Sequence, residues 1–171
     1  MLPNDSEVSP APLHHTKQIL HHLARRHCVI YYRELAGLIG LDVTQNHNVW
    51  VPQISQVLRE LDDADNKRGK PRLATLVVRK SDPDADLPGE GYWRNVKLAS
   101  GSKREVFEEN LLWVFAYQYS VQLSDSEKQR VDAVAQSPTK AGKAKWPRFI
   151  HKAPRSSHSP ADSGASDGRS W

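Results

Sequence analysis

Residues 29–92 carry the strongest structural signal in this chain, and they begin VIYYRELAGLIG at residues 29–40. The β-branched and aromatic run Val29–Tyr32 favours a short strand. Arg33–Gly40 favours a brief helix that ends at a glycine, because glycine adopts the left-handed conformation of a helix C-terminus at little cost. The first part of the segment therefore predicts a strand that leads directly into a helix.

The rest of the segment adds a second helix and two strands. VPQISQVLRELDDADN (residues 51–66) places its aliphatic residues on one helical stripe. RLATLVVRK (residues 72–80) and GYWRNV (residues 91–96) have the composition of strands, and the loop 81–91 is rich in Pro, Asp and Gly. Strand, helix, helix, strand, turn and strand is the order of a winged helix. We therefore predict an α+β fold with a winged helix-turn-helix core, a scaffold that serves both DNA binding and protein docking.

Helices are also predicted on both sides of this core. Residues 13–26 have apolar residues at helical spacing, and Ser102 with Glu105 forms a capping box that starts an apolar helix. The apolar surface of this 102–120 helix makes it the expected contact of a homodimer. A short polar helix fits 126–136. We assign 1–12 as a disordered lead-in, 13–123 as the winged-helix domain with its extra C-terminal helix, and 124–171 as a basic, mostly disordered tail.

Composition and charge narrow the class of protein. The 171 residues carry a net charge of +4, and residues 124–171 supply all of it, since 1–123 contains 15 basic and 15 acidic residues. No apolar run approaches the ~20 residues of a membrane helix, and the N-terminus lacks the pattern of a secretory signal. Cys28 is the single cysteine and has no partner for an internal disulfide. We expect a cytoplasmic protein with no membrane contact.

Three groups of polar residues are candidate nucleic-acid contacts. Gln and Arg on the outer face of the 51–66 helix can read base edges, and the cations after that helix can contact phosphates. Basic residues interleaved with aromatics in the tail suit single-stranded nucleic acid. The candidates are Gln53, Gln56 and Arg59 on the helix; Lys67, Arg68, Lys70 and Arg72 after it; and Lys143, Lys145, Trp146 and Arg148 in the tail.

Two features oppose this interpretation. Asp62, Asp63 and Asp65 follow the candidate helix face, where surface carboxylates would repel a phosphate backbone. The 81–91 loop is acidic, whereas a wing that enters the minor groove carries Arg or Lys. Both features favour a protein partner instead, as do Trp50, Trp93 and Trp113, which we expect to be exposed.

Catalysis and metal binding have little support in the sequence. The histidine pairs at residues 14–15 and 21–22 stand seven residues apart, about 10 Å along a helix, and lack the i, i+4 spacing of a helical zinc site. No nucleophile-elbow, phosphate-loop or paired-cysteine motif is present. We expect no catalytic residue, metal or cofactor, and keep a hydrolase using Asp62 or Asp65 with Mg²⁺ as a remote third class.

Residues 29–119 resemble the DNA-binding domain of the O6-alkylguanine-DNA alkyltransferases and the alkyltransferase-like proteins. Residues 32–36 (YRELA) are similar to the Tyr-Gly-x-Ile/Leu-Ala segment of that family, and residues 71–78 stand where its Pro-Cys-His-Arg-Val-Val strand lies. Gly91-Tyr92 is similar to the Gly-Tyr turn of the family, and residues 105–117 are similar to its closing helix. The reactive cysteine position has no cysteine, and residues 50–53 (WVPQ) replace the family's Arg-Ala-Val-Gly. The resemblance implies winged-helix topology and excludes alkyl transfer.

The leading hypothesis is a non-enzymatic, regulatory winged-helix protein of bacterial or phage origin that binds nucleic acid, with duplex DNA as the expected ligand. The alternative is a protein-interaction adaptor or inhibitor that acts on a larger nucleic-acid enzyme, from a phage or mobile element. Both hypotheses expect an exposed face that contacts a macromolecule. A different arrangement of the helices, or a deep cleft ringed by converging ionisable side chains, would contradict both hypotheses.

Overall fold

The computed structural model describes residues 10–81, 85–94, 96 and 102–138. The elements are α1 (Pro10–Arg25), β1 (Ile30–Tyr31), α2 (Tyr32–Leu38), α3 (His47–Lys67), a 3-10 helix (Leu73–Leu76), β2 (Val77–Val78), α4 (Glu90–Trp93), α5 (Lys103–Ala116) and α6 (Asp125–Val134). This mixture of helices with a small sheet confirms the predicted α+β class. The lead-in at residues 1–9 and the tail beyond residue 138 lie outside the described residues.

The two strands pair in parallel at the centre of the fold. Ile30 is opposite Val77 and Tyr31 is opposite Val78. Parallel pairing requires a long crossover between the strands, which α2 and α3 provide. Helices α1, α3 and α5 pack around the 3-10 helix, and α2 packs against the strands. The largest fully buried side chains of α1, α3 and α5 include Ile19, Leu20, Leu23, Ile54, Phe107 and Leu111.

Most predicted helices are confirmed. Gly40 follows α2 with φ of +89°, the left-handed conformation expected of a C-terminal glycine. Ser102 and Glu105 form the predicted capping box of α5. Helix α3 starts earlier than predicted because the Asn46 side chain accepts a hydrogen bond from the Asn48 backbone N–H at 3.0 Å. Pro52 therefore lies inside α3 rather than in its first turn.

The predicted strand at residues 72–80 is wrong over its first half. Leu73–Leu76 forms a 3-10 helix, and only Val77 and Val78 extend as a strand. The backbone N–H of Ala74 donates to Asp62 Oδ1 at 3.1 Å, which anchors the 3-10 turn to α3. All residues from 73 to 78 are buried, and a short run of continuous burial suits helix and strand equally.

The return strand predicted at residues 91–96 is also wrong. Glu90–Trp93 forms one helical turn, in which the Tyr92 backbone N–H donates to the Gly89 carbonyl oxygen at 3.0 Å. The Trp93 indole N–H fixes this turn by donating to the Pro88 carbonyl oxygen at 2.9 Å. Among the described residues, β2 pairs with β1 and forms no antiparallel wing with the chain that follows.

The folded unit extends past the boundary predicted after Leu123. Helix α6 packs on α1 and buries Val131, and His22 Nε2 lies 2.8 Å from Asp132 Oδ1 across this contact. The backbone of Gln136 then exchanges hydrogen bonds with Val29, beside β1. The boundary therefore moves to the C-terminal side of Gln136, because one buried valine and a backbone bridge attach α6 to the core.

Helix α5 packs within its own chain. Phe107, Leu111 and Val114 are fully buried in the core, so this apolar face is already covered without a second subunit. None of the helices in the described ranges is both long and apolar enough to cross a bilayer.

Candidate functional site

A cleft of about 570 Å³ opens between α2, α3, the end of β2 and α4, and we call it the central cleft. Its walls include five rings and several aliphatic side chains, and its rim carries both cations and carboxylates. The residues that line the central cleft include Tyr31, Tyr32, Trp50, Tyr92, Arg33, Glu34, Arg59, Asp62, Arg79, Lys80 and Glu90. Ionisable side chains therefore converge on a concave site, which the hypotheses drawn from the sequence did not expect.

The tyrosine rings of the cleft are held by hydrogen bonds from their hydroxyl groups. The Tyr32 hydroxyl oxygen accepts from the Gly89 backbone N–H at 3.0 Å. The Tyr92 hydroxyl oxygen lies 2.9 Å from Thr75 Oγ1 and accepts from Asn110 Nδ2 at 2.8 Å. Burial raises the pKa of both phenols, that of Tyr92 to about 12. Both rings are therefore neutral and fixed in place.

The outer wall is also aromatic. The Tyr31 hydroxyl donates to Asp86 Oδ1 at 3.3 Å, and Lys80 Nζ lies 5.8 Å from the centroid of the Tyr31 ring. His47 packs edge-on against Trp50, with 5.3 Å between ring centroids. A stacking surface thus reaches from the buried rings to the solvent.

Four cations form the rim of the cleft, and we call Arg33, Arg59, Arg79 and Lys80 the cationic rim. Arg33, Arg59 and Lys80 are exposed, and within the described ranges none of the four is in an ion pair. Glu34 and Glu90 share the rim, although Glu90 Oε1 lies 3.4 Å from Lys103 Nζ. Positive charge therefore exceeds negative charge around the opening.

Asp62 stands in the wall of the cleft and is only 6% exposed. Burial raises its pKa to about 7, against the opposing effects of the Ala74 hydrogen bond and of the Arg72 guanidinium 4.0 Å away. The carboxyl is thus about half protonated near neutral pH. The predicted repulsion between this aspartate and phosphate is wrong, because Asp62 faces the protein interior and anchors the 3-10 helix.

Asp65 is buried as well, about one turn further along α3. Its Oδ1 lies 3.9 Å from Lys17 Nζ, and it lines a second, polar cavity of about 340 Å³ together with Lys70 and His21. Burial raises the pKa of Asp65, while Lys17 and Lys70 oppose that shift. Of the three aspartates, only Asp63 is exposed.

The structure separates the predicted contact residues. Arg59 joins the cationic rim, and Gln53 is exposed on the same helix outside the cleft, whereas Gln56 donates to Glu60 Oε1 at 3.3 Å. Lys67 and Arg68 are exposed at the C-terminal end of α3, about 12 Å along the helix from Arg59. Lys70 lines the second cavity and Arg72 faces Asp62. Lys143, Lys145, Trp146 and Arg148 lie outside the described residues.

Sequence reasoning missed the aromatic part of this site. The adjacent tyrosines 31 and 32 suggested a strand, and Trp50 and Trp93 were expected to be exposed. Trp50 and Trp93 are buried, so the exposed aromatics that favoured a protein partner are absent at these positions, while Trp113 is half-buried. The feature of the sequence that could have indicated the site is the group of aromatic residues at positions 31, 32, 50, 92 and 93.

The remaining titratable side chains of the described residues give little support to a metal site or a reactive thiol. Within the described ranges no three His, Cys, Asp or Glu side chains lie together as a metal site. The Cys28 thiol is half-buried, and burial raises its pKa, which disfavours the reactive thiolate. His21 is held near the Ser120 carbonyl oxygen, and burial lowers its pKa to about 4.

Comparison of this chain with protein-family models, with curated proteins and with solved structures finds no match.

Proposed function

We propose that this chain is a non-enzymatic nucleic-acid-binding protein whose contact surface is the cationic rim of the central cleft and the adjoining exposed face of α3. In this proposal α2 and α3 represent the helical part of a winged-helix design, and the basic tail adds affinity. The observation that carries the proposal is the set of four cations without ion pairs among the described residues, gathered around one aromatic cleft. Cations that are not neutralised locally attract phosphates and release their counterions.

The chemistry of the cleft supports binding rather than catalysis. Asp62 accepts the Ala74 N–H, and the Tyr32 and Tyr92 hydroxyls are occupied by protein partners. Ser55 lines the cleft, but no described hydrogen bond joins it to a histidine or carboxylate base. An activated nucleophile requires such a base within hydrogen-bond reach.

The alternative of a protein adaptor keeps less support. Its main structural argument was a set of exposed tryptophans, and Trp50 and Trp93 belong to the core. The acidic loop remains in its favour, although residues 82–84 of that loop lie outside the described residues.

Salt-dependent binding of a full-length double variant tests the proposal. Arg33→Gln with Arg59→Gln removes two exposed rim cations, and Arg25→Gln with Arg130→Gln removes two exposed arginines from α1 and α6. We expect the affinity of the rim variant for a fluorescent single-stranded 20-mer to be roughly tenfold lower than that of wild type at low salt. The slope of the logarithm of the binding constant against the logarithm of the salt concentration should be smaller in magnitude by about 1–2. The control variant should bind like wild type, and equal losses in both variants would refute the proposed surface.

A further inference from the structure

The central cleft has the size and lining of a site for a small ligand. Its volume of about 570 Å³ lies within the ~300–1,000 Å³ typical of such sites. Most of its wall is apolar or aromatic, and its few polar groups are concentrated at the rim and at Asp62. A duplex laid across the rim would leave this interior unused, so the cleft requires an occupant of its own.

The two kinds of lining group indicate what that occupant is. The half-buried rings of Tyr31 and Tyr32 line the cleft, and nucleobases stack on such rings regardless of sequence. Arg59, Arg79 and Lys80 surround the same opening, where a charged group attached to a stacked ring would lie. A planar ring joined to a phosphate satisfies both parts of the cleft at once.

The cleft is also formed in advance of any ligand. The hydroxyls of Tyr31, Tyr32 and Tyr92 are all bonded to protein partners, which fixes the ring planes. Gly89 allows its chain to approach Tyr32 closely, since a Cβ there would stand 3.2 Å from the Tyr32 hydroxyl oxygen. Fixed walls lower the entropy lost when a ligand is ordered.

From these observations we infer that the central cleft binds a single nucleotide, with its base stacked on the aromatic wall and its phosphate at the cationic rim. This inference rests on the proposed function and adds the unit that the cleft accepts, an unpaired nucleotide. The nucleotide is either free or part of a single strand.

Calorimetric titration of the full-length protein tests the inference, with AMP, GMP, CMP and UMP as separate probes. Ribose 5-phosphate serves as the probe that has the phosphate and lacks the base. We expect at least one nucleotide to bind at least tenfold more tightly than ribose 5-phosphate. If all four nucleotides bind no better than ribose 5-phosphate, the inference is wrong, even if polynucleotides still bind to the rim.

Two matched variants locate the site. Tyr31→Leu removes a half-buried ring from the central cleft, and Tyr117→Leu removes a half-buried ring from the second cavity. We expect Tyr31→Leu to weaken nucleotide binding at least fivefold and Tyr117→Leu to leave it unchanged, which the opposite pattern would refute. Should Tyr31→Leu fail to fold, Lys80→Gln at the exposed rim must weaken nucleotide binding, and unchanged binding would refute the inference.

The source of the nucleotide is resolved by a third comparison. A 5′-phosphorylated trinucleotide of the preferred base should bind more tightly than the mononucleotide if the cleft takes its ligand from a single strand. Equal affinity would assign the cleft to the free nucleotide. Both results support a one-nucleotide site, and they separate its two sources.

Discussion

Asp62 links the core of this protein to the wall of its cleft. The carboxyl ionises near 3.8 in an unfolded chain and near 7 in the folded protein, because burial disfavours its charged form. Between these values the folded state binds more protons than the unfolded state. The contribution of Asp62 to the free energy of unfolding should therefore fall as the pH rises from about 4 to about 7.

Asp62→Asn tests this pH dependence. Asparagine retains an oxygen that can accept the Ala74 N–H and carries no charge, so the variant avoids the cost of a buried carboxylate. We expect urea unfolding at pH 7.5 to show Asp62→Asn more stable than wild type, by on the order of 1–3 kcal/mol, with the difference vanishing near pH 4. Asp63→Asn alters an exposed neighbour and serves as the control. A gain at pH 7.5 that persists unchanged at pH 4 would exclude the buried carboxyl as the cause.

Individual residues also explain why part of the site could not be predicted from the sequence. Arg59 was predicted correctly to face outward, because the helical stripe of α3 fixes which residues are buried. Asp62 lies four residues after the buried Leu58 and so continues that stripe, but its hydrogen bond from the Ala74 N–H, in a turn twelve residues later, could not be deduced from it. Long-range hydrogen bonds of this kind leave no local pattern.

At the scale of elements, helices were predicted better than strands. Helices α1, α2, α3, α5 and α6 were predicted from local signals, such as the glycine after α2 and the capping box at Ser102, whereas the single turn α4 was predicted as a strand. The strands are only two residues long, and their pairing depends on contacts between residues 30–31 and 77–78. A run such as LATLVV (residues 73–78) is buried throughout, and its alternation therefore says nothing about helix or strand.

Helix α6 provides a prediction at the same scale. Truncation after Leu123 removes the buried Val131 and the hydrogen bonds between Gln136 and Val29, whereas truncation after Pro138 keeps both. We expect the longer fragment to melt within a few degrees of the full chain. The shorter fragment should lose about 2 kcal/mol or more of unfolding free energy, the approximate value of one buried aliphatic side chain. Equal melting temperatures for both fragments in calorimetry would show that α6 adds nothing to the core.

At the scale of the whole molecule, the parallel pairing of β1 with β2 creates the cleft. The pairing brings Tyr31 and Tyr32, at the start of α2, beside the Arg79–Lys80 segment after β2. Helix α3 crosses between these strands in the chain and contributes Trp50, Arg59 and Asp62 to the same space. A fold with an antiparallel wing would have placed the 72–80 segment against residues 91–96. The cleft could therefore not be deduced from the predicted topology.

The central claim is that the cleft and its rim are where nucleic acid binds. Hydrogen–deuterium exchange of the full-length protein, measured with and without a saturating single-stranded 20-mer, locates the contact directly. Bound ligand slows the exchange of backbone amides that it covers or rigidifies. The described part of the chain offers an internal control in α1 and α6, which contribute no residue to the lining of the cleft.

If nucleic acid binds at the cleft, we expect slower hydrogen–deuterium exchange in peptides that cover residues 31–34, 47–62 and 74–81, and unchanged exchange in α1 and α6. Protection confined to α1, α6 or the tail, with no change around the cleft, would contradict the central claim.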